Sequence, residues 1–233
     1  MLEAAVGVCF SVQADLVAGA ALLPVGVMSL REVRQRRELP FALLPMLFAL
    51  HQLVESLVWA GVDGDVSASV QHAAAVAYVV YALPVLPTLV PLAVLLLEPR
   101  RLRLRVAPFV VLGLAVSGVF AEAVLAHPVG VVVHSHALEY TTGSYNAPVW
   151  TTLYVVAVIG PSVLSGYRSI VAFGVLNLVG LSVFAAVYVE AFASLWCIYA
   201  ALISVLVLVH MVRRRRLPDS DRISGLRLSP RLG

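Results

Sequence analysis

Residues 82–105 read ALPVLPTLVPLAVLLLEPRRLRLR, an apolar run that ends in four arginines. The apolar run begins near residue 70, so it exceeds the roughly 20 residues that a helix needs to cross a bilayer. Arginine directly after such a run marks its cytoplasmic end, because short loops with positive charge are translocated poorly. This stretch therefore predicts a membrane-spanning helix that ends in the cytoplasm.

The rest of the chain repeats this arrangement. The protein has 233 residues, of which 61% are hydrophobic and only 12% are charged, whereas a soluble domain usually carries about 25% charged residues. Stretches long enough to span occur seven times, at about 5–29, 40–61, 70–97, 106–126, 148–166, 169–189 and 192–212. Residues 213–233 are predicted to form an Arg-rich disordered cytoplasmic tail, which contacts lipid headgroups and is not a nucleic-acid site.

The distribution of charge supports the count of seven spans. With seven alternating crossings, every segment that carries Arg falls on one side, and the other side carries Asp63, Asp65, Glu139 and Glu190. We therefore predict an all-α bundle of seven transmembrane helices in the plasma (inner) membrane, with the N-terminus outside and the C-terminus in the cytoplasm. The chain contains no Lys, which excludes a retinal protein because the chromophore needs a lysine Schiff base.

Two segments depart from a plain apolar helix. Pro84, Pro87 and Pro91 predict a kink in the third span. The loop 127–147 contains a β-branched stretch and a Gly143-Ser144 turn, which predict a small β-hairpin over the outer mouth of the bundle.

Polar residues inside the spans are the strongest pointers to function, because an ionisable group in a membrane helix is costly unless it faces the bundle interior or water. Counted at about 1.5 Å per residue from the Arg boundaries, several of them fall at one depth in the outer third. We predict a polar pocket on the outer side, lined by Asp15, His51, Glu55, Glu122, Cys9 and Cys197 and framed by Trp59 and Trp196.

Within this set, His51, Glu55 and Trp59 follow one another at intervals of four residues, so they stack on one helix face. A His and a carboxylate at this spacing bind one divalent metal such as Zn²⁺ or form a hydrogen-bonded pair, and Glu55 also suits a general base. Three interpretations stay open: a structural pair that ties two helices, a proton path, and a metal or catalytic site with ligands from Asp15, His51, Glu55 and Glu122.

The cysteines and the outer histidines offer further ligands. Cys9 and Cys197 lie in the first and last spans on the oxidising side, where a disulfide, thiolate ligation and inert packing are all open. Four histidines lie on the same side, and two of them share one face of the predicted strand; the set is His72, His127, His134 and His136.

Three segments carry a resemblance: Cys9-Phe10-Ser11 with Ala14-Asp15-Leu16, Phe48 to Trp59, and Phe192 to Cys197. They resemble a family of multi-pass membrane proteins of high-GC bacteria that is known only as a domain of unknown function. The resemblance covers nearly the whole chain and implies topology and site residues, but no reaction. Members begin Met-Cys-Phe-Ser, which implies that the native chain starts at Val8 and exposes Cys9.

The topology, with His51 in the second span, also resembles the alkaline-ceramidase type of seven-pass hydrolase. Those proteins carry an H-x-x-x-H pair in the last span, whereas this chain has Trp196, Cys197 and Tyr199 there. The similarity therefore concerns architecture and not amidase chemistry.

These observations lead to three functional hypotheses. The leading one is a metal-assisted hydrolase of a lipid or small amphiphile, in which His51 and carboxylates hold the ion and Glu55 is base or ligand. The second is a receptor, sensor or carrier without enzymatic activity that binds a cation, a proton or a small ligand. The third is a structural membrane partner, which requires the polar groups to satisfy one another.

Overall fold

The structure is a computed structural model that describes residues 11–134, 137–142, 147–187, 199–216 and 223. It is mostly helical, as predicted. A short 3₁₀ turn (Arg36–Glu38) and a single helical turn (Leu39–Ala42) precede the second helix. The helices are α1 (Val12–Arg31), α2 (Leu44–Val62), α3 (Ala68–Val80), α4 (Leu86–Leu97), α5 (Arg103–Ala126), α6 (Ala147–Val163), α7 (Arg168–Val187) and α8 (Val205–Arg216).

Among the described residues, four helical segments are long and apolar enough to cross a membrane. They are Val12–Arg31, Arg36–Val62, Ala68–Leu97 and Arg103–Ala126, and α6 and α7 contain shorter apolar helices. Large apolar side chains are widely exposed on these helices, as at Leu125, which is 87% exposed. Such a surface is typical of contact with lipid. The count of seven spans and the orientation stay predictions.

Helices α1 and α2 pack closely and antiparallel. A Cβ atom at Gly26 would lie 2.7 Å from the Met46 backbone, and one at Gly19 would lie 2.7 Å from the Leu53 side chain. Small residues let the two helix backbones approach at these two levels. Asp15 lies one turn before Gly19 on α1. This register brings Asp15 to the level of Glu55 on α2.

The third apolar segment is interrupted by a π-helical turn, Tyr81–Val85, between α3 and α4. The Leu86 N–H donates to the Tyr81 carbonyl, five residues back. In this register the next carbonyl, that of Ala82, faces Pro87, which has no N–H to give. The hydroxyl of Tyr154 on α6 donates to it instead (2.7 Å). The prolines therefore interrupt the helix, and a neighbouring helix satisfies the freed carbonyl.

After α5 the chain forms an antiparallel hairpin of β1 (Gly130–His134) and β2 (Ala137–Thr141). Gly130 pairs with Thr141, and Val132 pairs with Glu139. The predicted small β-hairpin is confirmed. Val129 and Leu138 pack in one buried cluster with Trp59 of α2 and Tyr78 of α3, so the hairpin lies against the ends of those helices.

At the other end of the bundle the Arg-containing connections meet. Glu38, which precedes α2, forms an ion pair with Arg214 of α8 (3.4 Å). The Glu98 carboxylate, just after α4, accepts hydrogen bonds from the Ser165 hydroxyl (2.5 Å) and the Gly166 N–H (2.9 Å). We call this the Arg-rich end.

Helix α8 continues to Arg216, past the predicted tail boundary at residue 213. Arg has a high helix propensity, and positive charge is favourable at a helix C-terminus. From residue 217 onward the structure describes only Ile223, whose N–H donates to the Gly166 carbonyl (3.1 Å).

Candidate functional site

The predicted face of α2 is buried in the bundle. Glu55 is 0% exposed and His51 is 4% exposed, and Trp59 and Gln52 are buried beside them. Burial of a carboxylate, an imidazole and an amide on about one turn of an apolar helix is costly unless other groups compensate for the lost hydration.

Helix α1 adds a second carboxylate to this face. Asp15 is 1% exposed. The Glu55 carboxylate is near enough to act on it electrostatically, and the register of Gly19 and Gly26 against α2 places the two residues at a similar level. Two of the predicted ligand carboxylates are thus together.

Tyrosines surround the His51 imidazole. Tyr78 of α3 stacks on it at 3.9 Å between ring centroids and 17° between planes, and Tyr81 of the π-helical turn lies 4.8 Å away. Tyr140 of the hairpin stacks on the other side of Tyr78 at 4.3 Å. A continuous stack of three rings therefore connects the hairpin to the buried imidazole.

Several polar atoms in this group have no hydrogen-bond partner among the residues that the structure describes. They are both carboxylate oxygens of Asp15, Nε2 of His51, both side-chain amide atoms of Gln52 and Nε1 of Trp59. A buried polar atom without a partner costs about 1–3 kcal/mol.

The other predicted site residues are placed differently or not at all. Glu122 is exposed on α5, because that helix turns Val116, Phe120 and Ala123 toward the bundle. The structure therefore does not bring Glu122 into the buried group. Cys9, Trp196 and Cys197 lie outside the described residues.

The predicted metal ligands do not form a ready metal centre in the described ranges. There, no three His, Cys, Asp or Glu side chains are grouped so that they would hold an ion. Of the outer histidines, His72 and His127 are exposed, and His134 pairs with Glu139 across the hairpin (2.8 Å). His136 is not among the described residues.

Residues 8–223 match DUF6629, a family of unknown function. The chain belongs to that family. No curated protein and no solved structure matches it. The predicted membership in a family of unknown function is confirmed, whereas the similarity to ceramidases and the high-GC origin stay predictions.

One cavity lies between α2, α4, α6, α7 and the helical residues 199–203. Its lining is mostly apolar: Phe48, Leu86, Val90, Val158, Ile159, Ser162, Phe173, Gly174, Asn177 and Ala200. None of the predicted pocket residues lines it.

Sequence reasoning missed the polar residues buried at the Arg-rich end. Glu98 is 0% exposed and Ser165 is buried with it, and the His210 ring contacts the Ser169 hydroxyl through Nδ1 (2.8 Å). These residues lie next to the Arg runs in the sequence. The sequence therefore does not distinguish them from the polar residues of a solvated loop. The signal available was the position of Glu98 directly at the end of a long apolar run.

Proposed function

We propose that this DUF6629 protein is a multi-pass protein of the plasma membrane that binds a proton or a small cation between Asp15 and Glu55, as a carrier or sensor. The observation that carries the proposal is the burial of two neighbouring carboxylates with neither Asp15 oxygen hydrogen-bonded among the described residues. In a low-dielectric interior such a pair is stable only when a proton or cation neutralises part of its charge.

Two further features support binding over a purely structural role. The His51 and Gln52 atoms without partners, noted above, are available to a bound species or to water. The Tyr140–Tyr78–His51 stack also connects the site with the hairpin. Through this stack, binding of a proton or cation can affect the hairpin, which is an exposed element.

A metal-assisted hydrolase is the second candidate, because Nε2 of His51 and the carboxylate of Asp15 are ligand types that Zn²⁺ prefers. The two ligand groups come from facing helices, α2 and α1. Neither Nε2 of His51 nor the Asp15 carboxylate has a hydrogen-bond partner in the described part of the chain. This candidate requires near-stoichiometric metal in the purified protein.

One experiment separates the two candidates. Protein in nanodiscs is examined by difference infrared spectroscopy for the C=O stretch of a protonated buried carboxyl, and by mass spectrometry for bound metal. We expect a carboxyl band that Asp15→Asn or Glu55→Gln removes. Glu122→Gln is the matched control, because it neutralises an exposed carboxylate and should leave the band unchanged.

The outcomes are distinct. Metal that is near-stoichiometric in wild type and lost in the Asp15 and Glu55 variants would favour the hydrolase and justify assays with lipid substrates. A folded wild-type protein with neither a carboxyl band nor a bound cation would overturn the proposal, since both carboxylates would then be neutralised by other parts of the chain.

A further inference from the structure

The Gln52 amide is buried beside the candidate site without a hydrogen-bond partner. Gln52 is 0% exposed, and neither its amide oxygen nor its amide nitrogen has a partner among the described residues. Both carboxylate oxygens of Asp15 are in the same condition. A proton bound to a carboxylate has one hydrogen bond to donate, whereas a metal cation gathers several oxygen atoms at once, amide oxygens included. This set of oxygen atoms therefore favours a metal cation as the bound species.

The helical geometry of α2 places Gln52 between α1 and Glu55. Gln52 precedes Glu55 by one turn, so the two side chains are neighbours on the helix surface. Leu53 marks the line along which α1 packs, because it lies against Gly19. Around the helix axis, Gln52 is about 100° from Leu53, and Glu55 is about 60° further in the same direction. Gln52 therefore lies on the side of α2 where the carboxylate of Asp15 on α1 approaches that of Glu55.

The permanently cationic side chains of the described chain lie far from the two carboxylates. The sequence contains no Lys, and the Arg residues that the structure describes lie in or beside the connections of the Arg-rich end. On α1 the first such residue after Asp15 is Arg31, about 24 Å away along the helix axis. The titratable side chains packed near the site are His51 and the two tyrosines on its ring, Tyr78 and Tyr81. The positive charge that neutralises the carboxylates therefore comes from solution.

The number and type of ligand atoms favour a small monovalent cation. Asp15, Gln52 and Glu55 together supply roughly five side-chain oxygen atoms, whereas Ca²⁺ takes roughly 6–8 and Mg²⁺ keeps several of its waters. Within the described ranges no three His, Cys, Asp or Glu side chains are grouped to hold an ion, which argues against a transition metal. The close packing of α1 on α2 at Gly19 also favours a small ion over a large one.

We propose that the cation of this site is Na⁺, which displaces one proton from the Asp15–Glu55 pair and takes the Gln52 amide oxygen as a ligand. The O–H bond of one carboxyl breaks, its proton leaves to water, and the resulting carboxylate binds Na⁺. The second carboxyl keeps its proton, so the site is neutral before and after the exchange. This inference rests on the proposed function, because it takes the same pair as the binding site.

The test follows the infrared C=O stretch of the protonated carboxyl in nanodiscs while Na⁺ replaces N-methylglucamine at constant pH and ionic strength. Na⁺ should weaken the band and release one proton for each ion bound, measured with a pH-indicator dye. K⁺, Mg²⁺ and Ca²⁺ should leave the band unchanged. Gln52→Met removes the amide at nearly constant volume. It should keep the band and raise the Na⁺ concentration for half the effect by at least about tenfold. Gln13→Met is the matched control, because it makes the same change at an exposed position of α1.

The series of ions on the wild-type protein decides the matter even if Gln52→Met does not fold. The inference is overturned if Na⁺ leaves the wild-type band unchanged, or if K⁺ or a divalent cation acts as well as Na⁺. It is equally overturned if folded Gln52→Met responds to Na⁺ like the wild type. A carboxyl band that does not respond to Na⁺ sinks this inference alone, whereas the absence of both a band and a bound cation sinks the proposed function.

Discussion

At the scale of single residues, the hydroxyl of Tyr154 on α6 has a role that depends on a different helical segment and is not visible in the sequence of α6. It donates to the Ala82 carbonyl (2.7 Å), which the π-helical register directs at Pro87. No backbone N–H exists at that position, so the hydroxyl replaces a helical hydrogen bond inside a buried part of the bundle. The shape of the α3–α4 segment therefore depends on a side chain from another helix.

Removal of this hydroxyl by Tyr154→Phe leaves a buried carbonyl without a partner. We expect the free energy of unfolding to fall by about 1–3 kcal/mol, measured by denaturant or thermal unfolding in detergent. Tyr199→Phe is the control: its hydroxyl donates to Leu176 (3.0 Å), and that carbonyl lies in an uninterrupted helix where a backbone N–H also serves it. Equal losses in the two variants would contradict the argument.

The sequence predicts the site only as far as spacing along one helix allows. The interval of four between His51 and Glu55 placed both on one face, and both are buried there. The depth of a residue along its helix follows from the sequence, but the direction in which that helix faces does not. Glu122 was therefore predicted to lie inside the bundle, and it is exposed. Tyr78 and Tyr81 were missed for the same reason, because an aromatic residue in an apolar helix gives no sign of its partner.

At the scale of elements, the hairpin is joined to the bundle by apolar packing and by the stack of Tyr140 on Tyr78. The β-branched residues of β1 made the hairpin predictable from the sequence. The π-helical turn was not predictable beyond a kink at the prolines, because its register is fixed by contacts with α6 and by the ring contacts of Tyr81.

Loss of the ring at Tyr140 should release the hairpin. We expect Tyr140→Ala to raise the hydrogen exchange of the β1 and β2 amides by about tenfold, since an aromatic pair contributes about 0.5–1.5 kcal/mol beyond its buried area. Tyr140→Phe keeps the stack and should keep the exchange rates near those of wild type. Val133→Ala, at an exposed hairpin position, is a further control. Unchanged rates in Tyr140→Ala would show that the stack does not hold the hairpin.

At the scale of the whole molecule, the charge pattern and the contacts at the Arg-rich end agree. The pair of Glu38 with Arg214 joins the connection before α2 to the end of α8, two segments that the prediction of seven spans places on the same side. Helix α6 has 17 residues, about 25 Å, slightly less than the roughly 30 Å of a bilayer core. Its length therefore does not decide between a span and a shorter buried helix.

The location of the C-terminal tail decides between four spans and seven. With the N-terminus outside, four spans would leave the tail outside, and seven would place it in the cytoplasm. In a background in which Cys9 and Cys197 are replaced by Ala, we expect Asp65→Cys to react with a membrane-impermeant thiol reagent in intact cells. Ser224→Cys and Arg100→Cys should react only after the membrane is opened. Labelling of Ser224→Cys in intact cells, with Arg100→Cys protected, would mean that the last three predicted spans do not all cross the membrane.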